Sequence, residues 1–449
     1  MRRLALSLLF GLWCFCLFAE SVSREEIHRQ AVSACMRVAE EDFSTKAYTI
    51  TPMLEEGDTC YYVVQFEPEG FALIAADDRV QPIIGYSVTD RFQLEKAPKP
   101  MSLWIKNRAS EIKQTKSFLR NAQRHSGWQT NLLRSGNQTE KIPWLIKVSW
   151  DQDSPYNKYC PINRYGIRTL VGCGAVAMGQ AMTVFQHPTR PKGYIGYSVE
   201  DVGSIIVDFD KEPSYNWEKI ISGTDNNDEA ARFLYHCAVS LSTSFGNFSS
   251  RSYLHVVLEA LVNTFSYVPD SLIYYDSNYN TSNESLTKII LKELKQGRPV
   301  IYYIGYSPSS GHLFNIDGYD GVDAFHFNYG WGSFSNVYYT LDYALDKSNV
   351  RHRGRDRLIV GLVPDTRSST DIESVAQSLE TPLQVNGSLL RLKSPEKGIC
   401  RVYDLSGALL QTVPVVAGDN EILLKTKGLC ILSIDCNGKV ASHKIHVKE

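Results

Sequence analysis

"LVGCGAVAMGQAM", residues 170–182, sets a cysteine between two glycines at the entrance to a run of small and apolar residues. The run continues as AVAMGQAMTVFQ with helical periodicity, so Cys173 falls in the first turn of a predicted helix. A free cysteine is among the most buried residue types, and a structural role is the ordinary reading. The context here points elsewhere. Gly172 and Gly174 leave an uncrowded approach to the thiol. A first-turn thiol also faces unpaired backbone N–H groups and the positive end of the helix dipole. Both favour thiolate, the form a cysteine nucleophile needs.

A nucleophile of this kind needs a base. Between 142 and 363 the histidines are His187, His236, His255, His312, His326 and His352. His187 precedes a proline after the cysteine's own helix, His236 and His255 sit in helical stretches, and His352 lies among arginines. Solvated or structural roles suffice for these four. His312, in "SPSSGHLFNIDGYD", is delivered by a small-residue loop to the start of an apolar strand. His326, in "AFHFNYGWG", competes, but it sits mid-strand between two phenylalanines, where a structural histidine is commoner. Spacing favours His312: it follows Cys173 by 139 residues, inside the ~130–150 of papain-like order. Asn328, 16 residues on from His312, fits an orienting amide as in Cys-His-Asn sites. The papain signature C-G-S-C-W is absent.

The 449 residues suggest two to four domains, and 43% hydrophobic with 21% charged content is that of folded protein. A net charge of −2 without a basic stripe gives no nucleic-acid footprint. Arg2 and Arg3 precede a 16-residue apolar run, Leu4 to Ala19, followed by polar residues. That is a signal-peptide layout with cleavage after Ala19, and export to a soluble existence, secreted or at the cell surface, is expected. Eight cysteines lie beyond it, sparse and without any CxxC, so a zinc site is not expected.

Residues 20–141 form a first region: a helix over 25–44, strand-like runs around Pro68-Glu69-Gly70, and a charged helix around 101–124. The polar stretch 124–141 reads as exposed and open to cleavage. Residues 142–363, rich in Tyr and Trp, carry the motifs above; 364–382 read as a linker. The last region, 383–449, alternates in strand fashion and predicts a small all-β sandwich. Cys430 and Cys436 lie on one strand-like segment. At roughly 20 Å apart they cannot bond each other; pairing of either with Cys400, or burial of all three, is open.

"WDQDSPYNKYCP", "GCGAVAMGQAM", "GHLFNIDGYDG" and "FHFNYGWG" together resemble the streptopain family of bacterial cysteine peptidases, zymogens of papain-like fold. The resemblance covers about 142–363, and "GFALIAADDRVQPIIGYS" is similar to that family's inhibitory propeptide. It implies an α+β papain-like catalytic domain, Cys173 as nucleophile and His312 as general base and acid. It also implies that the Gln152 amide joins the Cys173 backbone N–H in an oxyanion hole, that Asn328 orients the imidazole, and that Trp331 shields the ion pair from water. Two departures touch the cleft: Tyr329 stands where the family has Trp, and Gly174 where a bulkier residue is usual. Residues 383–449 resemble the sorting domains of the type IX secretion route.

The expected protein is a secreted cysteine endopeptidase zymogen. It needs no metal or organic cofactor, and a reducing milieu helps keep its thiol active. Its expected partners are protein substrates, its own propeptide as intramolecular inhibitor and the type IX machinery, with no nucleic acid. Another Cys-His acyl-transfer enzyme, such as an amidase or transglutaminase, and an inactive surface-binding module are the alternatives.

Overall fold

The computed structural model describes residues 22–95, most of 102–113, 123–129, 140–276, 286–307, 310–332, 337–341, 357–366, 383–404, 408–436 and 439–447. The apolar run 4–19, the core of the 124–141 stretch and most of the 364–382 linker lie outside them. Residues up to Asp365 make one compact unit and those from Thr366 a second.

The first region opens with α1 (Arg24–Cys35), shorter than the 25–44 expected because Met36 closes it. Ser23 Oγ caps it by accepting the Glu26 N–H. Ile27, Ala31, Ala34 and Cys35 recur at helical spacing and are buried. They pack on antiparallel strands β2 (Asp58–Phe66), β3 (Phe71–Ala75) and β4 (Ile83–Ser87), and β1 (Tyr48–Glu55) pairs with β2. The second region follows with α2 (Cys173–Thr183), a hairpin of β5 (Tyr194–Val199) and β6 (Gly203–Asp208), α3 (Trp217–Ser222), α4 (Asp228–Ser240) and α5 (Leu254–Asn263). Next come β7 (Ile273–Asp276), α6 (Leu286–Leu294), β8 (Val300–Ser307), β9 (Ser310–Tyr319), β10 (Ala324–Asn328), β11 (Val337–Thr340) and β12 (Arg357–Val360).

The two regions share one ten-stranded sheet, in the order β1-β2-β3-β4-β11-β10-β9-β8-β12-β7. The join is β4 on β11, with Tyr86 opposite Tyr338 and Gly85 opposite Tyr339. Only glycine fits at 85: a Cβ there would stand 2.3 Å from the Tyr339 ring. Beside the join, buried Arg37 reaches from the end of α1 into the turn between β9 and β10. It pairs there with Asp320 at 2.8 Å and with Asp323. Tyr86 Oη also donates to Asp320 and Gln81 to Asp323.

Two cores form within this unit. One buries α1 and β2–β4 together with Phe314, Phe327, Tyr329 and Tyr339. The other surrounds α2, every residue of which from Gly174 to Thr183 is buried. Small residues permit that enclosure; Gly179, for one, lets Leu234 and Phe233 of α4 approach the backbone closely.

The second unit is the expected all-β sandwich. One sheet holds β13 (Leu383–Asn386), β14 (Leu389–Ser394) and β17 (Gly418–Leu423); the other holds β15 (Gly398–Tyr403), β16 (Leu409–Val415), β18 (Gly428–Cys436) and β19 (Lys439–Val447). Alternate residues, including Leu390, Val402, Leu432 and Ile434, fill its core. Cys400, Cys430 and Cys436 are buried and unbonded, so burial is the reading that holds. Among the described residues no helix is long and apolar enough to cross a membrane.

Candidate active site

Cys173 opens α2 at a sharp change of backbone direction. Gly172 has φ +97°, and a side chain there would also press on the Ser250 backbone, so glycine is required twice over. Cys173 is partly exposed, unlike the rest of its helix. Its sulfur is met by the backbone N–H groups of Gly174 and Leu313. Enclosure by protein pushes the thiol above its ordinary value, and these N–H groups oppose that push without overcoming it. Gly174 makes room for a neighbouring loop: a Cβ at this position would lie 2.4 Å from Ser252 Oγ.

The Leu313 contact puts the thiol one residue from His312 on β9. Strand alternation then separates them. Leu313 and Asn315 face α2, with Asn315 donating to the Ala177 carbonyl. His312 and Phe314 face the other way, into the core shared with the first region. The His312 ring is buried against Phe314, Tyr329 and Trp331. Burial lowers its pKa to about 4, opposed by a hydrogen bond to the Tyr329 carbonyl. Among the described residues no hydrogen bond joins Cys173 to His312.

Nε2 of His312 has two neighbours with opposite demands. The Tyr329 carbonyl, at 2.9 Å, can only accept, and the Trp331 indole N–H, at 3.1 Å, can only donate. A proton on Nε2 satisfies the first and a lone pair the second. Only with the proton on Nε2, donated to the Tyr329 carbonyl, does Nδ1 keep a lone pair with which to serve the thiol.

The orienting oxygen is therefore not where the sequence put it. Asn328, at the end of β10, donates through Nδ2 to the Val148 carbonyl at 3.0 Å and accepts the Gly330 N–H at 3.2 Å. Both ends of its amide are occupied, and it shapes the 328–331 turn while Tyr329 presents its main-chain oxygen to the imidazole. Trp331 lies beside His312 as expected, stacked with ring centroids 5.6 Å apart.

Gln152 is buried on the thiol side. Its carbonyl accepts the Val171 N–H at 3.0 Å, tying it to the chain two residues before Cys173. Its Nε2 is buried with no hydrogen-bond partner. A buried amide donor left open is costly, and it is what an oxyanion donor looks like before substrate arrives.

Of the other histidines, His326 is enclosed in a pair with Asp317 at 2.6 Å, His236 bonds Tyr215 and His187 bonds the Ser266 carbonyl. The sequence reading missed the Tyr329 carbonyl, because a motif names side chains and not main-chain oxygens. It also missed Asp317, which "GHLFNIDGYD" displays at a strand position opposite in facing to His312. Among the described residues no three His, Cys, Asp or Glu side chains converge as metal ligands would.

A helix-start cysteine and a strand histidine, on a sheet shared with the first region, make an arrangement of the papain-like kind. Residues 150–339 match the Peptidase C10 family, and residues 20–112 match the Spi protease inhibitor family. Residues 150–339 are thus similar to the streptopain-like cysteine peptidases. It is 30% identical over 296 residues to the thiol protease/hemagglutinin PrtT of Porphyromonas gingivalis, a match covering 62% of this chain and 33% of that protein. With streptopain of Streptococcus pyogenes it shares 24% identity over 309 residues, 63% of this chain and 73% of streptopain. In fold it is similar to a prointerpain A fragment of Prevotella intermedia, with TM-score 0.57 at 22% identity, covering 71% of this chain and 99% of the fragment.

Proposed function

We propose that this chain is a secreted cysteine endopeptidase made as a zymogen, with 20–141 as inhibitory propeptide and 142–363 as catalytic domain. The observation that carries this reading is the helix-start thiol of Cys173 held against the N–H of the residue after His312. In the working enzyme His312 Nδ1 takes the Cys173 proton, and the thiolate attacks the scissile carbonyl. The Cys173 N–H and Gln152 Nε2 hold the resulting oxyanion. The imidazolium protonates the leaving amine, and the neutral ring then takes a proton from water as it hydrolyses the thioester. Trp331 keeps bulk water from the ion pair, and Asn328 braces the turn that orients the ring.

Latency follows from the same site. The His312 ring lies in the core shared with the propeptide, and a raised thiol beside a lowered imidazole is a neutral, unreactive pair. Export through residues 1–19, and sorting through the β-sandwich 383–449 by a type IX-like route, complete the proposal.

The test compares the chain lacking residues 1–19 with its Cys173→Ala variant under reductant. Self-cleavage within 124–145 and digestion of unfolded protein are expected of the parent alone. Equal behaviour of two folded proteins would reject Cys173 as nucleophile and favour a binding module.

A further inference from the structure

The largest piece of chemistry the proposed mechanism leaves unused lies behind the cleft. Asp317 on β9 and His326 on β10 are fully buried, and His326 Nδ1–H donates to Asp317 Oδ1 at 2.6 Å. His326 Nε2 is buried without a hydrogen-bond partner, so the ring meets neither water nor the thiol. Proton transfer to substrate is thereby closed to it.

What the pair does hold is a stretch of chain. Asp317 Oδ2 accepts the Ile146 N–H at 2.9 Å, and the Asp317 carbonyl accepts the Leu145 N–H at 2.9 Å. The Trp144 indole lies over the His326 ring, centroids 5.1 Å apart and planes 25° from parallel. Three consecutive residues are thus fixed by one carboxylate, one carbonyl and one imidazole.

From there the chain runs along the back of the site to Gln152, pinned at every second residue. The Val148 carbonyl accepts from Asn328, the Trp150 carbonyl from the Gly332 N–H at 3.1 Å and the Gln152 carbonyl from the Val171 N–H. Residues 143–152 belong to no helix or strand, so such pins, with the burial of Ile146, Val148 and Trp150, set where the Gln152 amide stands. Cleavage within 124–141 would turn this stretch into a chain terminus, where fraying concentrates.

We propose that Asp317 and His326 are positioning residues that clamp residues 144–146 and thereby hold the Gln152 amide at the oxyanion site of the mature enzyme. The inference rests on the reading of Gln152 given above. The polar pair suits the task because an apolar pair would leave the buried Ile146 N–H without its acceptor. The ring also offers a flat face on which the Trp144 indole stacks.

The test is a double-mutant cycle on enzyme matured from the full chain, read as kcat and KM on a fluorogenic peptide. Asp317→Asn keeps the shape and removes the charge. It should lower kcat about tenfold with KM within about twofold, inside the ~100-fold that a 1 Å misplacement can cost. In a Gln152→Ala background the same change should lower kcat by less than about twofold, because the group it positions is already gone. The alkylation rate of Cys173 by iodoacetamide should not move in either background. Trp144→Leu, which removes only the stacked ring, should show the same dependence on background and decides the matter if Asp317→Asn fails to fold. Equal losses in both backgrounds would overturn the positioning role and leave Gln152 as oxyanion donor intact. An unchanged kcat in Gln152→Ala alone would overturn the Gln152 reading and this proposal with it.

Discussion

The wall of the cleft that carries Cys173 packs into a core drawn from Ile146 to Leu362, with no residue of the first region in it. The wall that carries His312 packs with residues from Val22 to Trp128 as well as with its own strands. On the roles proposed above, the nucleophile's half is complete without the propeptide, whereas the base's half is built jointly with it. Removing 20–141 would take four strands from the sheet and strip the His312 side of much of its packing. The Cys173 side would lose nothing from its core. The proposed mechanism then implies an asymmetric readiness: α2 sets up the thiol, and the propeptide governs the imidazole.

The comparison can be broken at several points. Cys173→Ala should remove peptidase activity by more than about 10³-fold while the zymogen still folds, since nucleophile and base act as a unit. Hydrolysis rates and a melting curve check this. Arg37→Ala leaves Asp320 buried without its cation. Such a loss costs about 3–5 kcal/mol, a factor of roughly 150 to 5,000 in the grip of the propeptide. The full-length variant should mature faster than the parent while the matured enzymes share one kcat, as gel time courses and kinetics would show. Gln152→Ala should lower kcat about 100-fold, by the loss of one oxyanion donor, and should leave the zymogen's stability unchanged.

A last expected effect concerns pH. Burial holds His312 at about 4 instead of the ordinary 6.5. Between those values the unfolded chain binds a proton that the folded chain refuses. The stability present above about pH 6.5 is lost as pH falls through 4, on the order of 3 kcal/mol for this one group. Urea unfolding of the Cys173→Ala zymogen at pH 7 and pH 4.5 should register part of that loss. A Cys173→Ala/His312→Gln double variant should show a flatter pH dependence, and identical slopes would reject a buried neutral His312.

Much of this site was legible before any coordinates. Small residues and flanking glycines announce the Cys173 helix because both its buried surround and its tight entry turn are local demands. The loop-to-strand setting of His312 set it apart from His326, which the structure encloses in a hydrogen bond with Asp317. The sheet join was not legible, since Tyr86 and Tyr338 pair across 252 residues with no local mark. Nor was the Arg37 contact, whose partners Asp320 and Asp323 read as ordinary turn residues in "DGYDGVDAF". The orienting oxygen failed to appear for a different reason. The oxygen on the imidazole in this structure is the peptide carbonyl of Tyr329, and any residue there would supply it.

The most direct test of the asymmetry is the pH dependence of Cys173 alkylation before and after propeptide removal. A Gln152→Ala zymogen, slow to process itself, keeps both thiol and imidazole and can be matured by added parent enzyme. The account predicts a thiol that titrates above its ordinary value in the zymogen and well below it once the propeptide has gone. A low and equal value in both forms would show the base already paired with the thiol, and would contradict the claim that the propeptide governs the histidine wall.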